Sequence, residues 1–462
     1  MGLTHHLNAV LEEAKDQQGK SAYAVLAMNG QELFATLTGG AGIRRMLTVE
    51  GVCYIVSGRV VFSLTAAAVQ TQLGGIGSDG WVTMAANRKT PNPQIAIVCD
   101  GLWYLLEGGI IREGTDPDLP PPLMVLEVDG YLVFLIRDGR WFIVGPNDAG
   151  NVDPLDFAEA EANADQNVGG AVRGRTLIIF GAKSTEFHDP VVDVDFPFAR
   201  TATSTFGCYA GPTVANAVVM RGQTAVDTVI LCGTDHEGAY MGVVALDGYQ
   251  PVVISTPEVD ALVEAEDPAD LSAFYYTEDG HLFYVLSGAS FSYAYDGRYG
   301  EWAQRQSFGS DRWKPGYSAK LGNYTLLGRA NENKIMRSDR ALMDEAGDTI
   351  LWRMQPPTVN TWPKGFKVPT VWVDALTGVG LVTGAATDTD PQLHIDFSKD
   401  GGLSWGAQRH AALGAAGQRF VRVKQHALGR FDHNGMTLRF SCSANAVRGI
   451  QQVAVAATPL RG

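Results

Sequence analysis

The sequence predicts an all-β protein, an irregular β-propeller with a C-terminal antiparallel β module and a few short helices. Three observations carry this. Gly accounts for 53 of 462 residues, and the glycines sit between short β-branched and aromatic runs, where they read as turn residues rather than as flexible linker. A loose unit of strand, tight Gly turn and second strand ending in an aromatic recurs about every 40 to 50 residues, the spacing of propeller blades. The chain is 45% hydrophobic and only 19% charged, so it can bury a large core and does not have the composition of a disordered segment.

In order along the chain, Leu7, Val10, Leu11 and Ala14 follow Thr4 at helical spacing, which predicts a short amphipathic helix over residues 3–15 with Thr4 as N-cap. Strands are expected at 23–28 and 32–38, then a Gly-rich turn at 39–42. The recurring unit starts at 47–56 with 60–64 and repeats at 95–106. Two apolar hairpins follow, at 130–144 and 174–187, joined by an acidic connection. Within that connection Asp153, Asp156, Glu159, Glu161 and Asp165 place five carboxylates in thirteen residues with no cation between them. Further units are expected at 227–246, at 273–286 with 291–295, and at 317–336.

A helix is expected after Thr256, with Pro257 at its first position and Val259, Leu262 and Val263 on one side. Its other side and the residues just beyond carry Glu258, Asp260, Glu264, Glu266, Asp267 and Asp270, which also reads simply as a solvated face. Beyond residue 351 the prolines 356, 357 and 363 lead into new strand runs at 369–374, 392–397, 419–424 and 436–441. The predicted organisation is an N-terminal helix and arm over 1–40, a β-propeller over 41–350, and a C-terminal β module over 351–462 that closes the propeller or packs on it.

A net charge of −14 argues against binding nucleic acid by neutralising phosphates. It is compatible with a wall past which DNA slides, since a basic wall would hold the strand. The five cysteines, Cys53, Cys99, Cys208, Cys232 and Cys442, are scattered without a Cys-x-x-Cys pair and read as reduced, buried apolar residues. No basic-then-apolar leader opens the sequence, and no apolar run reaches the ~18 residues of a membrane span. The expectation is a soluble chain without a membrane anchor, folding in a reducing cytoplasm.

Candidate chemistry is sparse. Ser398, Asp400, Gly402 and Trp405 fit the Asp-box pattern Ser-x-Asp-x-Gly-x-x-Trp, in which the carboxylate satisfies the amides of a hairpin turn; it is a structural motif, also found in sialidases. A glycosidase needs more than this turn, and no acid/base pair stands out. The histidines, among them His394, His410, His426 and His433, lack metal-ligand spacing. The Gly-rich run 74–77 lacks the Lys-Ser/Thr of a P-loop, and no Gly-x-Ser-x-Gly is present. No cofactor is implied.

Several segments carry a family resemblance. They are 141–144 (Trp-Phe-Ile-Val), 153–161 (Asp-Pro-Leu-Asp-Phe-Ala-Glu-Ala-Glu), 177–186, 196–200 (Phe-Pro-Phe-Ala-Arg), 248–256, 280–286, 295–302, and 400–405 with 428–430. In this order over residues 40–450 the chain resembles the packaged-DNA stabilisation, or tail hub (nozzle), proteins of short-tailed bacteriophages. The first forty residues depart from the family, and nothing is carried over to them. The resemblance implies a structural virion protein of the viral tail, assembled in the host cytoplasm. Such proteins form a ring, usually a homohexamer, below the head-to-tail adaptor protein. They extend the channel for DNA ejection, help retain packaged DNA, and seat a tail spike or fibre and a needle or plug protein; genomic DNA passes without sequence-specific binding. The family has no catalytic residues to transfer. On this reading Asp153, Asp156, Glu159, Glu161, Asp165, Glu258 and Glu264 are candidates for an acidic interface or lumen. The alternative is a carbohydrate-binding or glycan-cleaving propeller acting as a receptor-interacting tail protein.

Overall fold

A computed structural model of the chain describes residues 5–13, 21–150, 152–159, 165–192 and 196–460. It divides into two compact units, one of residues 33–302 and 312–337 and the other of residues 1–32, 303–311 and 338–462.

The first unit is a propeller of seven blades among the described residues. The innermost strands are Ile43–Val49, Val82–Ala86, Pro122–Val128, Asn167–Arg173, Ala215–Arg221, Ser272–Glu278 and Pro315–Leu321. Each touches the next, and the last returns to the first. Within blades the strands are antiparallel neighbours in sequence, as in Pro122–Val128, Tyr131–Ile136, Arg140–Val144 and Phe157–Glu159 of the third. The seventh blade takes its outer strand from the start of the unit. Leu33–Thr36 lies beside the strand that begins at Lys334, and the Leu37 N–H donates to the Asn333 carbonyl at 2.8 Å. The Asn333 side-chain amide returns a bond to the Leu37 carbonyl at 2.9 Å.

The unbroken apolar runs of the sequence follow from this stacking. A strand buried between neighbouring blades has two dry faces, so its side chains alternate between two cores instead of between core and water. In Thr176–Gly181, Leu177 and Ile179 pack toward blade three with Val133, Leu135, Trp141 and Ile143. Ile178 and Phe180 pack the other way, toward Val229, Leu231 and Val244 of blade five. The hairpins turn on residues of positive φ, as at Asp129-Gly130 (52° and 89°) and Asp279-Gly280 (49° and 86°). These are the two-residue turns whose twist matches that of paired strands.

Both predicted hairpins are therefore middle strands of adjacent blades. The acidic connection contributes Phe157–Glu159, the outermost strand of blade three, before the chain crosses to blade four. The predicted helix is present as Pro257–Glu264, capped by Thr256, whose side chain accepts from the Val259 N–H. Val259 and Val263 are buried against Val243, Ala245 and Leu271.

The second unit is a β-sandwich. One sheet contains His5–Leu7, Trp352–Gln355, Thr437–Cys442, Gln392–Ser398 and Arg409–Ala412; the other contains Ala9–Glu13, Tyr23–Ala27, Gly449–Pro459, Phe366–Ala375 and Val423–Phe431. Trp352, Ile395, Leu438 and Phe440 of the first sheet and Phe366, Val371, Val423 and Ile450 of the second form one core.

The helix expected over residues 3–15 is not formed. His5–Leu7 and Ala9–Glu13 are strands, one in each sheet; Ala14 and Thr4 lie outside the described residues. The reason is Asn8, at φ 51°. A left-handed residue ends one extended run and redirects the chain into the next, so the apolar residues on its two sides belong to strands of different sheets although their spacing imitates one helix. The buried Asn8 side chain secures the switch by donating to the carbonyls of Gln306 (2.8 Å) and Leu351 (3.0 Å) and accepting from the Gln306 N–H (2.9 Å).

Candidate functional site

The inner strands of the propeller enclose an axial cavity of about 850 Å³. It is lined by half-buried apolar groups, among them Leu47, Trp81, Leu126 and Tyr275, and by four charged residues, Arg45, Glu50, Arg88 and Glu127. Arg88 Nε lies 3.5 Å from Glu127 Oε1, whereas Arg45 has no ion pair among the described residues. Burial lowers the pKa of Arg45, and burial raises that of the neighbouring Tyr317.

None of the described acidic candidates lines this cavity. Asp153, Asp156 and Glu159 lie at the outer edge of blade three. Asp153 Oδ1 accepts the Leu155 N–H at 2.9 Å. Burial and the Asp153 charge raise the pKa of Asp156. Asp165 is a turn cap within blade four: its Oδ2 accepts the N–H groups of Lys183 (2.6 Å) and Ser184 (3.1 Å) and the Ser184 hydroxyl (3.2 Å). Glu161 lies outside the described residues. Glu258 and Glu264 belong to the helix between the last strand of blade five and the first of blade six, both exposed, and Glu258 accepts the Tyr293 hydroxyl at 2.7 Å. The two acidic segments thus sit on different blades and are not brought together.

The Asp-box residues do converge. The Ser398 hydroxyl donates to Asp400 Oδ1 at 2.6 Å and accepts the Gly402 N–H at 2.8 Å. The carboxylate also accepts the Ser404 N–H at 2.9 Å and the Ser404 hydroxyl. Hydrogen bonds from Ser398 and then Ser404 depress the Asp400 pKa far below the usual 3.8. Gly402, at φ 102°, permits the turn. Trp405 carries the Arg439 guanidinium 3.9 Å above its ring, and Arg439 pairs with the buried Asp396 at 3.2 Å.

Two juxtapositions escaped sequence reasoning. Arg45 is one of many arginines, and nothing local marks it as facing an axis. His394 and His410, opposite one another on paired strands, meet Nδ1 to Nδ1 at 2.8 Å; only the pairing register reveals it. Among the described residues no group of three or more His, Cys, Asp or Glu side chains could hold a metal ion, and no helix is long and apolar enough to cross a membrane. Buried carboxylates are matched inside blades four and six, where Glu186 meets His188 at 2.9 Å and Asp296 meets His281 at 2.6 Å.

A family model described as "Bacteriophage P22 Gp10, beta-propeller" matches residues 6–315, well over half of the chain. The chain belongs to this family. The P22 Gp10 family is one of phage structural proteins, and its match ends where the seventh blade begins. Among curated proteins none matches. Solved structures similar to the chain include a virginiamycin B lyase from Staphylococcus aureus, at 12% identity and a TM-score of 0.42, covering 66% of this chain and 97% of the lyase. A streptogramin B lyase has 12% identity and a TM-score of 0.44, with 67% and 97% covered. The computationally designed Ika8 protein has 12% identity and a TM-score of 0.39, with 67% and 100% covered. At this level the likeness carries nothing about activity.

Proposed function

We propose that the chain is a tail-hub, or nozzle, subunit of a short-tailed bacteriophage virion. Its copies form a ring, a homohexamer, below the head-to-tail adaptor, extend the channel through which DNA leaves, help retain the packaged genome and seat a spike or fibre and a needle or plug. Its role is structural and uses no catalytic residue or cofactor. The observation that carries the reading is family membership across residues 6–315. Two features support it. The acidic groups at the edge of blade three and on the helix after blade five project from the propeller, where neighbouring subunits or passing DNA would meet them. The net charge of −14 gives a wall that repels a polyanion instead of binding it. In this reading Asp153, Asp156, Glu159, Glu161, Glu258 and Glu264 contribute to the ring's interface or lumen, while Asp165 serves its own turn.

The test is electron microscopy of the purified chain, alone and with the adaptor, together with virions that lack it. The expected results are rings, and mutant heads that lose DNA or lack tail parts. A chain that stays monomeric under every condition, with mutant particles that keep their DNA and carry every tail component, overturns the assignment.

A further inference from the structure

The axial cavity holds one lining cation without a counter-ion among the described residues. Its other cation, Arg88, has Glu127 as counter-ion, and Glu50 is exposed at the end of its strand. The adjacent Arg44 is fully engaged, donating to the carbonyls of Gly58 (2.7 Å) and Ser78 (2.8 Å). Arg45 also lies on the innermost strand of blade one, yet among the described residues its guanidinium has no hydrogen bond and no ion pair. The Tyr317 hydroxyl, on the first strand of blade seven and lining the same cavity, likewise has no hydrogen-bond partner among the described residues. The two are close enough for each to influence the other's ionisation.

Arg45 is half-buried, and a charge partly withdrawn from bulk water without a partner is costly. A fold that only needed to fill this position could use an apolar residue, as it does at the neighbouring Met46 and Leu47. An arginine and a phenol that are both free donors, set at the seam where the first and last blades meet, form a receptor for an acceptor group not present in the chain. The rest of the lining narrows the class. Only one lining cation is unpaired, and the lining carboxylate Glu50 repels further negative charge, so one negative charge is matched and a second is not. Leu47, Trp81, Leu126 and Tyr275 offer the remainder of the ligand apolar and aromatic contact.

We infer that the axial cavity of the propeller binds a monocarboxylate with an aliphatic or aromatic body, its carboxylate held by Arg45 and Tyr317. The carboxylate comes either from a free small acid or from the C-terminal residue of a peptide. A planar guanidinium suits it because two parallel N–H donors match two carboxylate oxygens.

The experiment is calorimetric titration of the full chain, followed also by Trp fluorescence. The probes are 3-phenylpropanoate, hexanoate, their primary amides, inorganic phosphate, and a short peptide ending in phenylalanine with a free or an amidated C-terminus. The acids should bind and the amides should be about tenfold or more weaker, the loss of one charge-assisted pair. Arg45→Met should weaken the acids about 10- to 100-fold, and Tyr317→Phe by a few-fold. Arg45→Lys should keep part of the affinity. A free acid that binds more tightly than the peptide identifies a small molecule as the source, and the reverse order identifies a chain end. The comparison of acid with amide on the unaltered protein needs no variant to fold. No acid bound at millimolar concentration, acids and amides bound alike, phosphate bound as well as the acids, or a folded Arg45→Met protein with unchanged affinity would each overturn the inference.

Discussion

Closure of the propeller rests on a short segment next to Leu37, and replacing that side chain tests it. Leu37 is fully buried and packs with Ile43, Met46, Leu321, Leu326 and Ile335, which come from blades one and seven. Leu37→Ala leaves its backbone bonds to Asn333 in place, so the change removes only apolar burial and opens a cavity. Leu→Ala substitutions in cores cost about 2–5 kcal/mol, more where the site cannot collapse. Because Asn333 pins the segment through both N–H and carbonyl, little relaxation is available, and about 3–5 kcal/mol is expected. For a unit of this size that is a fall in Tm of roughly 6–10 °C, read by scanning calorimetry and by urea unfolding followed by Trp fluorescence. Leu33, on the same closing strand but 51% exposed, provides the control, and Leu33→Ala should stay within about 0.5 kcal/mol. If Leu37→Ala costs no more than Leu33→Ala, the closing segment is not what holds blade seven to blade one.

Two other perturbations concern the sandwich. His6 is buried, neither ring nitrogen has a partner among the described residues, and burial lowers its pKa from 6.5 to about 4. The unfolded chain takes up a proton below pH 6.5 and the folded chain only near pH 4. Stability should therefore fall between those values, by about 3 kcal/mol in all, and level off below. His6→Leu should remove that slope and raise the midpoint of urea unfolding at neutral pH; an unchanged slope would show that His6 is not its source. At the Asp-box turn, Asp400 contributes as a carboxylate with a depressed pKa. Its contribution is present above the ordinary carboxylate range and is lost as pH falls through the folded value. Asp400→Ala should speed amide hydrogen exchange at Gly402 and Ser404 relative to the parent at pH 7, and equal protection there would refute the role given to the carboxylate.

Much of the propeller was legible because its rules are local. Asp129-Gly130 and Asp279-Gly280 announce hairpins whatever surrounds them, and a run such as residues 177–180 is apolar at every position because both faces of its strand are covered. Thr256-Pro257 marked a helix start by capping chemistry that also needs no tertiary context. The N-terminal strands were misread because the spacing of Leu7, Val10 and Leu11 carries no sign of the left-handed turn at Asn8, whose side chain is satisfied by residues some 300 positions away. The acidic connection was visible as a charge run, but its division into an edge strand and the Asp165 cap depends on blade pairing. Arg45 gained meaning only once seven strands surrounded it. Asp400 was different, since the motif itself contains both the carboxylate and the residues that hydrogen-bond to it.

The strand pairings also set an order of events during synthesis. Leu26 pairs with Gly449 and Val25 with Ile450, and the segment 33–36 lies beside a strand that begins at Lys334. A nascent chain that has reached blade six lacks these late partners, although Tyr23–Ala27 is already paired on its other side with Ala9–Glu13, so both units remain open until the last third of the polypeptide is made. Contacts of such sequence separation form slowly, and they leave strand edges available in the meantime. Synthesis of the seventh blade acts as a timing device, delaying any surface that requires a finished propeller until residues 334–337 are available to close it.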